Sequence, residues 1–446
     1  MKSRSEAARP QRGRHPARDA HRTARPRAWR ARFRVLLAAW IAVAPAQAVA
    51  ADVSHEASMD ASRLQRIDAF LERATAPGGY TGAVALVARD GRIAYERAYG
   101  HADLGSNRPM RPDAIFRVYS MTKPLTSVAA LMLVEEGRLG LDDPVARHLP
   151  EFAGMKRFAG GTARSPERVE PTRPITIRHL LTHTAGFATG GNGEAVRLLD
   201  EQHPQDAPTL AEFARRVARA PLADDPGTRF RYDGVNTEVL ARVIEVASGQ
   251  RFADLLQQRI LAPLGMRDTG FEVAPGQRDR VVDITTRDAD GRLALAGSAD
   301  ARTPGERLRA YDSGAGGLYS TARDYFRFAQ MLADDGRAGA TRLLSRKSVE
   351  LMMSDQLATF DPPLAGPAAG EGFGLGGYVV TDVARRGRLG SVGQFGWSGA
   401  ASTYFTIDRS ERLVALLLCQ HLPDDAPGDL PRLSVPFFNL VYQAVP

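Results

Sequence analysis

Ser120-Met-Thr-Lys123 sets a hydroxyl and an amine three residues apart. On a helix, positions i and i+3 share one face about 5–6 Å apart, so the two groups can touch. A serine hydroxyl is a weak nucleophile near neutral pH and needs a base. An amine whose charge is disfavoured by burial can take the proton, or can hold a tyrosinate that does so. The bland alternative is a helix cap followed by a surface lysine, so the pair needs partners before it means catalysis. Three other patterns compete with it. His179-Leu-Leu-Thr-His183 has the i, i+4 histidines of a zinc helix. Leu180 stands where that chemistry needs Glu, and no third ligand offers itself, so a structural segment near the site is the preferred reading. Gly372-Phe-Gly-Leu-Gly-Gly377 has the form of a dinucleotide loop but runs into a strand, Tyr378-Val-Val380, rather than a helix. Gly396-Trp-Ser398-Gly-Ala400 approaches a nucleophile elbow, yet Thr403–Ile407 reads as a strand where an elbow requires a helix.

The elements that must carry these groups can be read from periodicity. Leu125, Val128, Ala129 and Met132 form a core-facing helical stripe after Ser120. Pro124 is tolerated only in a first turn, which places Ser120 at a helix N-terminus. Free N–H groups and the helix dipole there favour developing negative charge. Residues 61–75 predict an amphipathic helix, and 82–88 with 93–98 a hairpin turning at Asp90-Gly91. Residues 140–300 are rich in helical patterns broken by Pro and Gly, as an inserted all-α subdomain would be. Ser320–Leu332 predicts a helix capped by Ser320 or Thr321. Strands are expected at 373–380, 390–395, 401–407 and 413–420, with 408–412 as the last hairpin loop and a closing helix from Pro436 to Val445. The expected fold is an α/β (α+β) sandwich. One antiparallel sheet, built from both chain ends, is flanked by helices. The domain would span 60–446, its α/β part being 60–139 plus 301–446 and its insertion 140–300.

Six ordered blocks then give the chain a recognisable outline. They are Phe116-Arg-Val-Tyr-Ser120-Met-Thr-Lys123, Ile175–Phe187, Phe230-Arg-Tyr232, Leu261–Met266, Gly314–Ser320 and Gly396-Trp-Ser-Gly399. Over residues 60–440 this series resembles the serine β-lactamase-related family, which includes class C β-lactamases, D-alanyl-D-alanine carboxypeptidases and family VIII carboxylesterases. The resemblance implies acylation of Ser120, with Lys123 as its partner and Tyr232 as general base and acid. Taken without the resemblance, Tyr232 could equally be a packed core aromatic. The resemblance also implies an oxyanion hole from the backbone N–H groups of Ser120 and Ala400. Tyr119, Gly234, Asn236, Trp397, Ser398 and Gly399 would line the substrate pocket. Two departures bear on substrate. Tyr232-Asp-Gly234 stands where the lactamases read Tyr-x-Asn, with Asn236 as a nearby substitute amide, and Trp397 stands where they carry Lys in Lys-Thr-Gly. An aromatic surface replaces a cation suited to a substrate carboxylate, which favours neutral esters and resembles the esterase branch. A β-lactamase or D-peptidase activity is the second reading, and a catalytically silent sensor or binding domain the third. The resemblance implies no cofactor or metal, and the partner expected is a small acyl substrate.

Length and composition are those of an ordinary globular protein with two cores, or one large core with an inserted subdomain. The chain has 446 residues, 43% hydrophobic and 25% charged, with a formal charge of +8. Residues 1–34 carry Lys2 and eleven Arg against Glu6 and Asp19, a net of +10, which leaves about −2 of that +8 for the rest. That remainder is too little for a nucleic-acid surface. An apolar run at Val35–Ala44 follows, then Ala46-Gln-Ala48 and Ala48-Val-Ala50, each an A-x-A cleavage pattern. Residues 1–50 thus read as a basic leader and signal peptide. The expected location is periplasmic or secreted, without stable membrane insertion after cleavage, since the run is short of the roughly 20 residues a span needs. Cys419 is the only cysteine, so no intramolecular disulfide forms.

Overall fold

Leu413–Leu418 and Gly82–Arg89 are almost unbroken apolar runs because both faces of each strand are covered. In the computed structural model they pair antiparallel within a seven-stranded sheet. The structure describes residues 59–190, 192–297, 303–423 and 428–446, all within the unit Ser54–Pro446. The leader, apolar run and cleavage patterns at 1–50 lie outside the described residues. The strands of this sheet are β1 (Gly82–Arg89), β2 (Arg92–Gly100), β3 (Glu371–Phe373), β4 (Tyr378–Val380), β5 (Phe395–Gly399), β6 (Thr403–Asp408) and β7 (Leu413–Leu418). Their spatial order is β3-β4-β5-β6-β7-β1-β2, antiparallel throughout. The first hairpin therefore docks beside the last strand, and both chain ends build one sheet.

Period-two alternation divides the side chains of this sheet between two cores. Val84, Leu86 and Ala88 join Val414, Leu416 and Leu418 on one face. Ala83, Ala85 and Val87 join Leu413, Ala415 and Leu417 on the other. The helices used below are α1 (Arg66–Ala74), α2 (Thr122–Glu135), α3 (Val235–Ser248), α4 (Ala322–Ala333) and α5 (Ser434–Tyr442). Helices α1 and α5 contribute Ile67, Leu71, Phe437 and Val441 to the second core. The first core takes Leu125, Val128 and Ala129 from α2, and Tyr325 and Phe328 from α4. Thr321 caps α4, its side chain accepting from the Asp324 N–H.

Three local expectations change. The run 373–380 is a hairpin rather than one strand, because Gly376 has φ +96° and turns the chain. A Cβ there would meet Ser127 Oγ at 2.4 Å, so the glycine also lets this turn close on α2. The strand expected at 390–395 begins only at Phe395, since Gly393 at φ +86° belongs to a preceding turn. Segment 140–300 holds α3 and Leu210–Arg219, yet also two short hairpins, Arg157–Thr162 with Ser165–Val169 and Thr285–Arg287 with Leu293–Leu295. Gly161 and Gly291, both with positive φ, lie at or beside their turns.

One tether fixes the start of α2 against the sheet. The Tyr325 hydroxyl, fully buried on α4, donates to the Met121 carbonyl at 2.8 Å, and its ring lies 5.0 Å from that of Phe405 on β6. Burial pushes this phenol well above its ordinary pKa, so it remains a neutral donor. Tyr325→Phe should therefore lower stability by about 1 kcal/mol in urea unfolding, the worth of one buried hydrogen bond. An unchanged transition would show that the hydroxyl does not hold this turn.

Candidate active site

Ser120 lies in the 3-10 turn Tyr119–Met121, which runs directly into α2. The residue before it, Tyr119, has φ +43°, a left-handed conformation that costs a non-glycine residue of order 1–3 kcal/mol. The nucleophile candidate thus sits on a sharp bend at the positive end of a fourteen-residue helix. Lys123, in the first turn, is 3% exposed. Its Nζ donates to Ser120 Oγ at 3.0 Å and to the Ala315 carbonyl at 2.8 Å. The same nitrogen lies 4.9 Å from the centre of the Tyr232 ring. Residues at 120, 123 and 232 therefore meet in one place, lining a cavity of about 280 Å³.

Tyr232 is held by aromatic neighbours. Its ring is 4.7 Å from His183 and 4.8 Å from Trp397, and Trp397 Nε1–H donates to its hydroxyl oxygen at 2.9 Å. Among the described residues no hydrogen bond joins Tyr232 directly to Ser120; Lys123 contacts both. His183 is 2% exposed, and burial together with the Lys123 charge holds its imidazole well below the usual pKa. It is a neutral wall behind the phenol. The two histidines of the zinc-like pattern diverge, because the helix Ile177–Leu181 ends before His183, which takes φ +55°. His179 instead accepts from the Thr176 N–H in a capping box and stacks on Phe360.

Strand β5 approaches the nucleophile from the other side. Gly399 has no room for a side chain: a Cβ would come within 2.4 Å of the Val118 carbonyl oxygen. Thr403 Oγ1 reaches the same oxygen at 3.5 Å. This approach makes the end of β5, and Ala400 after it, neighbours of the Val118–Ser120 bend that the oxyanion-hole expectation requires. Tyr119 and Gly234 line the cavity as expected. Trp397 reaches the site through Tyr232, and Ser398 and Gly399 continue its strand. Asn236 does not serve as a pocket amide. It is 1% exposed, and its Nδ2 donates to Asp233 Oδ2 at 2.7 Å, a half-buried carboxylate that also accepts from Thr189 Oγ1 at 3.0 Å.

Two features escaped sequence reasoning. Glu238, on α3, is 3% exposed and lines the cavity. Its carboxylate accepts from Ser313 Oγ and from the Gly314 N–H, the latter at 2.9 Å. It thereby clamps the turn whose next carbonyl, Ala315, receives Lys123. Thr126 Oγ1, donating to the Gly314 carbonyl at 2.7 Å, holds the turn from α2. A carboxylate within the run Val235–Ile244, on a stretch of the helix that is otherwise mostly apolar, was the available signal. The second feature is the cavity wall at Gln205, Leu308 and Arg309, which no spacing announced.

Burial raises the pKa of Glu238 to about 7, against hydrogen bonds and the Lys123 charge that lower it. A raised carboxyl pKa means the folded state holds its proton more tightly than the unfolded chain. That contribution to stability is complete below the ordinary value near 4.5 and is lost as pH rises toward 7. Glu238→Gln keeps an acceptor for Gly314 but cannot ionise. The melting temperature of wild type minus that of the variant should fall from pH 4.5 to pH 7 and level off above. A difference that ignores pH would mean that Glu238 is ionised throughout this range.

Comparison with known proteins places this geometry in a family. The chain matches the family described as Beta-lactamase over residues 67–434. It is 35% identical to Esterase EstB of Burkholderia gladioli over 395 residues, covering 84% of this chain and 94% of the esterase. It is 26% identical to the D-alanyl-D-alanine-carboxypeptidase/endopeptidase AmpH of Escherichia coli K12 over 361 residues, covering 80% and 84% of the two chains. Among solved structures, EstCE1, a hydrolase with promiscuous acyltransferase activity, superposes with a TM-score of 0.69 at 27% identity, covering 86% of this chain and 99% of its own. With its antiparallel sheet, flanking helices and Ser-x-x-Lys turn, the chain belongs to the β-lactamase family and is an enzyme of the serine-hydrolase kind.

Proposed function

We propose that the enzyme is a carboxylesterase for short acyl esters, working through an acyl-Ser120 intermediate. The observation that carries this reading is the 3.0 Å hydrogen bond from Lys123 Nζ to Ser120 Oγ, inside a cavity walled by Tyr232. With Lys123 donating to Oγ, the hydroxyl proton is left for a second acceptor, and Tyr232 Oη is the phenol of that cavity. Ser120 Oγ attacks the ester carbonyl as Tyr232, acting as a phenolate held beside Lys123 Nζ, takes the hydroxyl proton. The N–H groups of Ser120 and Ala400 receive the oxyanion. Collapse breaks the carbonyl–alkoxide bond, and Tyr232 returns the proton to the leaving alcohol. Water, deprotonated by the same phenolate, then attacks the acyl carbon, the carbon–Oγ bond breaks as Tyr232 returns the proton to Oγ, and the acid leaves. Trp397 Nε1–H holds the phenol oxygen in place and solvates it while it carries charge.

Trp397 and Gly234 favour neutral esters over β-lactams and D-peptides. Relatives named Esterase EstB and lovastatin esterase support the ester assignment. Discharge of the acyl group to an alcohol instead of water is the second reading, favoured by the likeness to EstCE1 with its promiscuous acyltransferase activity. Export through the basic leader belongs to the same proposal.

Hydrolysis of p-nitrophenyl butyrate should exceed that of nitrocefin by orders of magnitude in kcat/KM. Ser120→Ala should reduce it to the uncatalysed rate, and Lys123→Ala should slow acylation at least about 100-fold. Rapid nitrocefin turnover without butyrate hydrolysis would overturn the ester assignment, and an unimpaired Lys123→Ala would remove lysine from the scheme.

A further inference from the structure

Three glycines lie in the turn that receives Lys123, a fourth faces it from the start of α3, and their reasons for being glycine differ. Gly314 and Gly317 are buried and leave no space for a side chain. A Cβ would lie 2.7 Å from that of Ala241 at Gly314, and 2.9 Å from the Phe271 ring at Gly317. Packing requires both, and neither lines the cavity of Ser120. Gly234 and Gly316 are half-buried, and both line it. Apart from its chain neighbours, a Cβ on Gly234 would meet one atom within 4 Å among the described residues, Ala315 Cβ at 3.6 Å. A Cβ on Gly316 would come no closer than 3.6 Å to its neighbours, the backbone of Tyr119. These are ordinary van der Waals distances. Ala315 and Tyr119 line the same cavity. Backbone conformation does not require these two glycines either, since neither has a positive φ. Asp233 Oδ1 accepts from the Asn236 N–H at 2.9 Å and so caps α3. Gly234, at φ −80° and ψ −29°, has the angles of a first helical residue, where alanine is the better helix former.

Resting on the ester reading above, we propose that Gly234 and Gly316 keep a recess beside Ser120 that takes a branch of the substrate next to the ester group. The side chains missing from the protein leave room for an alkyl group of the ligand. Ala315 bears the carbonyl that receives Lys123 Nζ, so the recess adjoins the Ser120–Lys123 pair. Gly234, Ala315 and Gly316 carry no polar side chain, which makes the branch a hydrocarbon. The preferred substrates are neutral esters branched at the acyl α-carbon or at the alcohol carbon. Proton transfer remains with Lys123 and Tyr232, and the two glycines determine which esters fit.

The test compares the full-length enzyme with Gly234→Ala, Gly234→Val and Gly316→Ala on two pairs of isomeric esters. p-Nitrophenyl isobutyrate against p-nitrophenyl butyrate places the branch on the acyl side. 1-Phenylethyl butyrate against 2-phenylethyl butyrate places it on the alcohol. The readout is the kcat/KM ratio of the branched to the straight isomer. One ratio should fall about tenfold in each alanine variant and further in Gly234→Val, the loss expected when a methyl group loses its space. The pair that responds identifies the side of the ester held in the recess. Gly234→Ala should melt at or above the temperature of the wild type. Ratios unchanged in all three variants overturn the recess, and so does a lower melting temperature of Gly234→Ala, which would show that the fold needs this glycine. A wild type that hydrolyses only the straight isomers also overturns it and leaves the esterase standing. A wild type that hydrolyses none of the four overturns the ester reading itself, and the recess with it.

Discussion

A buried ammonium must share its protons with the protein, and Lys123 is where the site is assembled. Its Nζ reaches Ser120 Oγ on the turn before α2 and the Ala315 carbonyl on the segment before α4, and it lies over the Tyr232 ring. Each partner comes from a different stretch of chain, so the amine stays satisfied only when all three arrive together. Much of the surrounding structure secures that arrival. Glu238 and Thr126 grip the turn at Gly314, Tyr325 ties down Met121, and His183 with Trp397 encloses the phenol. The neutral His183 adds no second positive charge beside Lys123.

Close approach of backbone is the second requirement. A bend wedged between a helix end and a sheet edge leaves no room for a Cβ where the facing backbone comes closest. Gly399 meets the Val118 carbonyl, Gly376 meets Ser127, and Gly314 fits between α2 and α3, where a Cβ would lie 2.7 Å from that of Ala241. The left-handed Tyr119 is the strained counterpart of these contacts. Such strain persists because α2 is buried over most of its length, as is strand β6, and they hold the bend in place.

Much of this was legible in the sequence because it depends on local pattern. The apolar stripe after Ser120 and the position of Pro124 gave the start of α2 to within two residues, and Thr321 was a foreseeable cap. The sheet from both chain ends followed from hairpins expected at 82–98 and 401–420, whose turns carry Asp90-Gly91 and residues 408–412. What local pattern could not show was direction and depth. Asn236 has the right chemistry for a pocket amide, but the neighbouring Asp233 carboxylate claims it. Gly390 and Gly393 sit beside apolar residues, yet their backbone angles delay the strand to Phe395. Arg309 and Gln205 join the cavity through a tertiary fold that no spacing encodes. The convergence of Lys123 with Tyr232 was implied by family resemblance before the 4.9 Å between them gave it a geometry.

The central claim is that Ser120 Oγ, activated by this lysine and phenol, is the atom that becomes acylated. Exposure of the folded enzyme to a fluorophosphonate, followed by intact-mass measurement and peptide mapping, tests it without assuming any substrate. A single adduct should form and map to the peptide carrying Ser120. Folded protein that takes no label, or that takes it at Ser398 or another hydroxyl, would contradict the account.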